Sequence, residues 1–116
     1  MIEADRVRVL KNEPEWITVP SASGVGQSIA RCPKCWIAVW SIYPGLGHDK
    51  KLLRIVRVGT LDKPDLFPPD IHIWTAEKQP WIVLQQDVPA FKDGTYDRKE
   101  VWSQEALDRG KEVFRL

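Results

Sequence analysis

The sequence predicts a mainly β domain of antiparallel strands with one short C-terminal helix. Three observations carry that expectation. Most segments alternate apolar and polar residues with period two, stretches rich in Gly, Pro and small polar residues separate them, and a helical period appears only near the C-terminus. A chain of 116 residues can bury roughly two-thirds of its unfolded surface, enough for a core without a disulfide framework, so a single domain over residues 1–116 is expected.

The elements follow in order. "RVRVL" (residues 6–10) sets Val7 and Val9 against Arg6 and Arg8, and "EWITV" (15–19) sets Trp16 and Thr18 against Ile17 and Val19; both read as half-buried strands, with Pro14 marking the turn between them. "PSASGVGQ" (20–27) reads as a hairpin loop, and "SIARC" brings a strand up to Cys32. After Cys35, "WIAVWSIY" (36–43) has apolar residues on both faces, the pattern of a strand buried on both sides. "PGLGHDKK" breaks it, and "LLRIVRVGTL" resumes alternation as far as Gly59. "DKPDLFPPD" cannot be a central strand, because Pro68 and Pro69 offer no N–H to a ladder. "IHIW" and "WIVL" read as two short strands around a polar hairpin, "TAEKQP". In "WSQEALDRGKEVFRL", Ser103 is the N-cap and Ala106, Leu107, Gly110, Val113 and Phe114 form the packing face of a helix.

Charge narrows the function classes. Lys and Arg number 17 against 16 Asp and Glu, so no global field exists to hold nucleic acid or an anionic membrane, and neither is expected as a partner. The N-terminus alternates charged and apolar residues, unlike a signal peptide, and no apolar run is long enough to cross a bilayer. A cytoplasmic location is expected. In that reducing setting a lone Cys pair is more often a metal or redox site than a staple.

Both cysteines lie in "ARCPKCWIAVW". A thioredoxin-like site needs a helix N-terminus to activate its first Cys, and the residues after Cys35 have no helical period, so the thiol oxidoreductase reading ranks last. A zinc knuckle needs two thiolates on a tight turn between strands, and "RCPKCW" between "SIA" and "IAVW" fits it. Two inert, reduced cysteines in a β-turn are the bland alternative. A closed zinc site needs four ligands, and only His48 and His72 stand beside the two thiols as strong candidates, at spacings that match no metal-ligand pattern. The pair reads as half a site.

"RCPKCWIAVWS", "VRVGTLDKPDLFPPDIHIWTAEKQPWIVL", "DVPAFKD" and "VWS" occur in this order and together resemble the glutathione-dependent formaldehyde-activating enzyme family, which also includes centromere protein V. The resemblance runs from about Arg6 to Leu107. It implies a zinc domain of β-rich, tent-like sheets related to zinc ribbons. It also implies that Cys32 and Cys35 are the downstream pair of a structural zinc site whose other ligands form a C-x-C element. A second, C-x-C-x-x-C element in the family holds a zinc associated with activity. Neither upstream element has a counterpart here, so the N-terminal portion of the family domain is expected to be missing from this chain. Trp36 is a further departure, standing where many relatives have Gly.

The resemblance implies carbon–sulfur lyase chemistry, joining formaldehyde and glutathione into S-hydroxymethylglutathione, with zinc as cofactor and a small thiol or thiol adduct as substrate. This chain alone is expected to be inactive or incomplete in that chemistry. His72 is then the candidate catalytic proton carrier, and Trp74, Lys78 and Trp81 are candidates for binding glutathione. Each has a plainer reading: the tryptophans as packing residues, Lys78 as a solvated turn residue, and Asp62 in "GTLDKP" as a turn-former. The alternative class is a non-enzymatic, zinc-stabilised β module for binding or regulation. A homodimer, joined through a shared zinc or an exposed apolar surface, is a further expectation.

Overall fold

The computed structural model describes residues 1–44, 46 and 52–114. Five strands, β1 (Ile2–Glu3), β2 (Glu15–Val19), β3 (Gln27–Arg31), β4 (Ala38–Ile42) and β5 (Leu53–Val56), are followed by a single helical turn α1 (Arg98–Val101) and the helix α2 (Gln104–Phe114). The protein is mainly β, and every strand pair is antiparallel. The chain divides into two compact units, Met1–Pro64 with Gly110–Leu116, and Asp65–Arg109.

The first unit is built on one sheet in the order β1-β5-β4-β3-β2. Consecutive strands β2 to β5 form a meander, the arrangement short loops favour, and β1 returns to cover β5. Cross-strand pairing explains the core. Trp16 stands opposite Ala30, Ala30 opposite Trp40, and Trp40 opposite Val56. Ala30 is fully buried, and the rings of Trp16 and Trp40 meet edge-on, centroids 6.4 Å apart. A small residue between two large ones lets the indoles meet, a preferred aromatic geometry. The next row, Ile17, Ile29, Ser41 and Ile55, lies on the opposite face. Ser41 is fully buried there, and its hydroxyl accepts a 3.0 Å hydrogen bond from the Gln27 side chain. Gly26 closes the β2–β3 loop at φ +73°, with the Val19 carbonyl oxygen 3.1 Å from where a Cβ would stand.

Strand β2 spans the expected residues 15–19, whereas residues 6–10 do not form a strand. The ladder with β5 ends when Ala4 N–H donates to the Leu52 carbonyl, and a 3-10 turn (Ala4–Arg6) closed by Val7 N–H onto the Ala4 carbonyl leads the chain off the sheet. Leu10 is left 89% exposed. Strand β4 starts at Ala38 rather than Trp36, for a reason that belongs to the cysteine turn below. Most of the "PGLGHDKK" turn lies outside the described residues.

The second unit has little regular structure. Residues 72–76 run alongside 89–93, with a parallel bridge between His72 and Ala90. His72 N–H donates to the Pro89 carbonyl and Phe91 N–H to that of His72, both at 2.8 Å. The expected strands "IHIW" and "WIVL" are therefore not formed as a hairpin. Trp74 takes a left-handed φ of +58° and a 3-10 turn (Thr75–Glu77) follows, so the first extended run stops there. "WIVL" joins no ladder, and Val83 is 92% exposed. An aromatic group organises the rest: Phe91 and Tyr96 lie 5.6 Å apart, and Trp102 Nε1 donates to the Tyr96 hydroxyl. Asp97 caps α1 by accepting from Lys99 N–H.

Helix α2 follows its sequence pattern closely. Ser103 Oγ accepts from Ala106 N–H at 3.2 Å, the expected N-cap bond. Gly110 and Val113 are buried, Ala106, Leu107 and Phe114 half-buried, and Glu105, Asp108, Lys111 and Glu112 face solvent. No helix among the described residues is long and apolar enough to cross a membrane.

Two substitutions test this packing in urea unfolding. Ala30→Leu forces bulk between the two indoles and is expected to cost about 1–3 kcal/mol. Ser103→Ala removes the cap and is expected to cost about 1 kcal/mol, with Ser103→Asp restoring most of it.

Candidate functional site

The cysteines sit on the reversal between β3 and β4, and backbone hydrogen bonds shape it. Cys32 N–H donates to the Ile37 carbonyl at 2.9 Å, and Trp36 N–H to the Cys32 carbonyl at 2.8 Å. The ladder slips by one residue just before the reversal, Ala30 facing Trp40 while Arg31 faces Ala38. Such a bulge re-aims a strand end. Trp36 completes the reversal with φ +62°, a left-handed conformation that costs an ordinary L-residue about 1–2 kcal/mol and glycine little. This explains why β4 begins only at Ala38, and why a glycine suits this position.

Inside the turn, the backbone N–H groups of Cys35 and of Lys34, and then the Cys35 thiol, favour the charged form of the Cys32 sulfur. These donors hold the Cys32 thiol below its ordinary range against an opposing effect of burial, with a lesser contribution from the Lys34 ammonium. Both cysteines are free; Cys35 is exposed and Cys32 partly covered. Two convergent sulfurs with N–H donors aimed at one of them suit half of a tetrahedral thiolate site for zinc. Among the described residues no group of three or more His, Cys, Asp or Glu side chains could hold a metal ion, and His48 lies outside them.

The flank of the turn is aromatic and charged. Trp36 is 64% exposed and Ile37 57% exposed. The Arg31 guanidinium stacks over the Trp36 ring at 4.7 Å and also pairs with Glu15 at 2.9 Å. The signal for a glycine-like backbone at Trp36 was the resemblance, in which many relatives have Gly after the C-x-x-C pair. Nothing in the sequence pattern signalled the stacking of Arg31.

The other candidates all belong to the second unit. His72 Nε2 is a buried nitrogen without a hydrogen-bond partner among the described residues, as is Trp40 Nε1 in the first unit. Trp74 is 59% exposed and its ring lies against Gly94, where an added Cβ would stand 2.9 Å from Trp74 Cζ2. Lys78 is exposed, its ammonium 3.5 Å from the Gln79 carbonyl, and Trp81 is 77% exposed. No hydrogen bond or ring contact links these four side chains to one another. Gly94, in "KDGTYD", is a site neighbour that sequence reasoning passed over; its Asp-Gly pair was the available signal.

The left-handed backbone at residue 36 can be read directly in unfolding free energies. Trp36→Gly is expected to be more stable than Trp36→Ala by about 1 kcal/mol, since alanine loses the Arg31 stacking without escaping the strain. At an ordinary exposed position the order is reversed, so alanine above glycine would contradict the turn geometry.

Neither a curated protein nor a solved structure matches the chain. The family model described as glutathione-dependent formaldehyde-activating enzyme matches residues 1–77, taking in the cysteine turn, the sheet, His72 and Trp74 but ending before Lys78 and Trp81. A match of that extent, across the whole sheet and its cysteine turn, places the chain in a family: it belongs to the glutathione-dependent formaldehyde-activating enzyme family.

Proposed function

We propose that the protein is a zinc-binding domain of the formaldehyde-activating type, acting in carbon–sulfur bond chemistry on small thiol adducts such as that of glutathione with formaldehyde. The observation that carries this reading is the family match over residues 1–77, which includes Cys32, Cys35 and His72. Cys32 and Cys35 are the residues proposed to hold zinc. Their turn is shaped by the backbone before any metal arrives, which lowers the cost of organising ligands. That zinc would be structural; the open-position zinc that would supply Lewis acidity and favour the thiolate form of a bound thiol in this chemistry finds no ligand set among the described residues.

The reaction is an addition. The thiol sulfur bonds to the aldehyde carbon, the carbonyl π pair moves to oxygen, and the thiol proton ends on the new hydroxyl; the reverse cleaves the same carbon–sulfur bond. His72 is proposed to carry that proton through Nε2, a buried nitrogen without a partner among the described residues. Trp74 and Trp81 are proposed to offer apolar faces to the peptide thiol, and the Lys78 ammonium to meet one of its carboxylates. The proposed setting is a soluble protein whose partner is a small molecule.

A second reading, a zinc-stabilised β module for binding or regulation, is favoured by one specific observation: the described residues gather no set of three or more metal ligands. The two readings separate in one experiment. The zinc-loaded protein is mixed with glutathione and formaldehyde, and the exchange rate of S-hydroxymethylglutathione is read by NMR alongside the thermal midpoint. The enzymatic reading expects acceleration over the protein-free rate, reduced about 10²-fold or more in His72→Gln. A zinc-dependent rise in midpoint with no acceleration would establish the binding module instead.

A further inference from the structure

Zinc bound by thiolates in a structural site takes four ligands in a tetrahedron, and the reversal between β3 and β4 presents two. The described residues bring no third ligand to it. The turn is also unusually open for a structural site: residues 33–37 are all exposed, including Cys35 and the large side chains of Trp36 and Ile37. Apolar groups beside a pair of sulfurs are what a metal–thiolate centre needs around it to exclude water, yet here they face solvent.

We infer that two copies of this chain join through their cysteine turns, Cys32 and Cys35 of each supplying two of the four thiolates around one shared zinc ion, with Trp36 and Ile37 of each packing around the centre. The geometry suits a two-fold arrangement, because the same patch serves both partners. Four thiolates around a divalent ion leave two negative charges in excess. One Lys34 ammonium from each copy, next in sequence to Cys35 and exposed, offsets them. Backbone hydrogen bonds from Cys32 N–H to the Ile37 carbonyl and from Trp36 N–H to the Cys32 carbonyl already shape each turn, so each half-site needs little reorganisation on binding. Arg31 stays outside the charge balance, since Glu15 neutralises it.

This inference rests on the proposal that Cys32 and Cys35 bind zinc, and the test separates the two. The reduced, metal-free 116-residue chain is titrated with Co2+ and then Zn2+, reading cobalt–thiolate charge-transfer absorbance together with mass in solution. Saturation is expected at about one ion per two chains, with the tetrahedral visible bands of a four-thiolate site and an about two-fold rise in mass that a chelator reverses. Cys32→Ser and Cys35→Ser should each abolish both changes while keeping the parent circular dichroism, because both residues lie on an open turn away from the Trp16–Trp40 core. One ion per chain at monomer mass would overturn the shared site and leave zinc binding by the pair standing. A dimer indifferent to metal and chelator would also overturn it. No cobalt uptake would overturn both.

Discussion

The short reversal from Cys32 to Ile37 is the constraint on which the rest depends. Two backbone hydrogen bonds close it, Cys32 to Ile37 and Trp36 to Cys32, and a left-handed Trp36 lets the chain double back within so few residues. Its geometry sets where β4 starts, and the adjoining bulge shifts the β3–β4 register. That register decides which β4 residues oppose Ala30 and Ile29. The fully buried Ala30 between two indoles, and the buried Ser41 on the other face, are thus consequences of the same turn that gathers the sulfurs. Sheet core and cysteine pair are one structural problem with one solution.

The second unit meets different constraints. Its prolines remove ladder donors, and the left-handed Trp74 stops the extended run after His72. What remains is a short parallel alignment of residues 72–76 with 89–93, fastened by backbone bonds from His72, Trp74, Thr75 and Ala76. Side-chain packing replaces regular pairing there: Trp74 against Gly94, Phe91 against Tyr96, and Trp102 bonded to the Tyr96 hydroxyl. His72 is held at both its backbone groups while its Nε2 is buried without a partner among the described residues. A buried nitrogen left without a partner carries a desolvation cost, so His72 is a position whose environment calls for an explanation.

How much of this could be read from the sequence depended on whether local pattern or tertiary contact decided each element. Residues 15–19 and 27–31 alternate cleanly, and the sheet uses that alternation. Ser103 three residues before Ala106, with apolar residues at helical spacing, specified α2 and its buried face. Residues 7–10 alternate equally well but have no partner strand, because the 3-10 turn before them leads the chain away from β5. "IHIW" has β-branched and aromatic content, but its neighbour is the distant segment 89–93, which no local pattern announces. The cysteine turn was legible from "RCPKCW" as a turn; its bulge and the contacts of Arg31 were not, since both arise from cross-strand register.

The central claim is that this turn gathers Cys32 and Cys35 onto one metal ion. Cadmium-113 NMR of the cadmium-loaded protein, correlated to protons, tests it most directly, because coupling through a metal–sulfur bond identifies the ligands residue by residue. A single cadmium resonance in the thiolate region, coupled to the β-protons of both Cys32 and Cys35, is expected. A resonance in the oxygen-ligand region, or coupling to only one of the two cysteines, would contradict the claim.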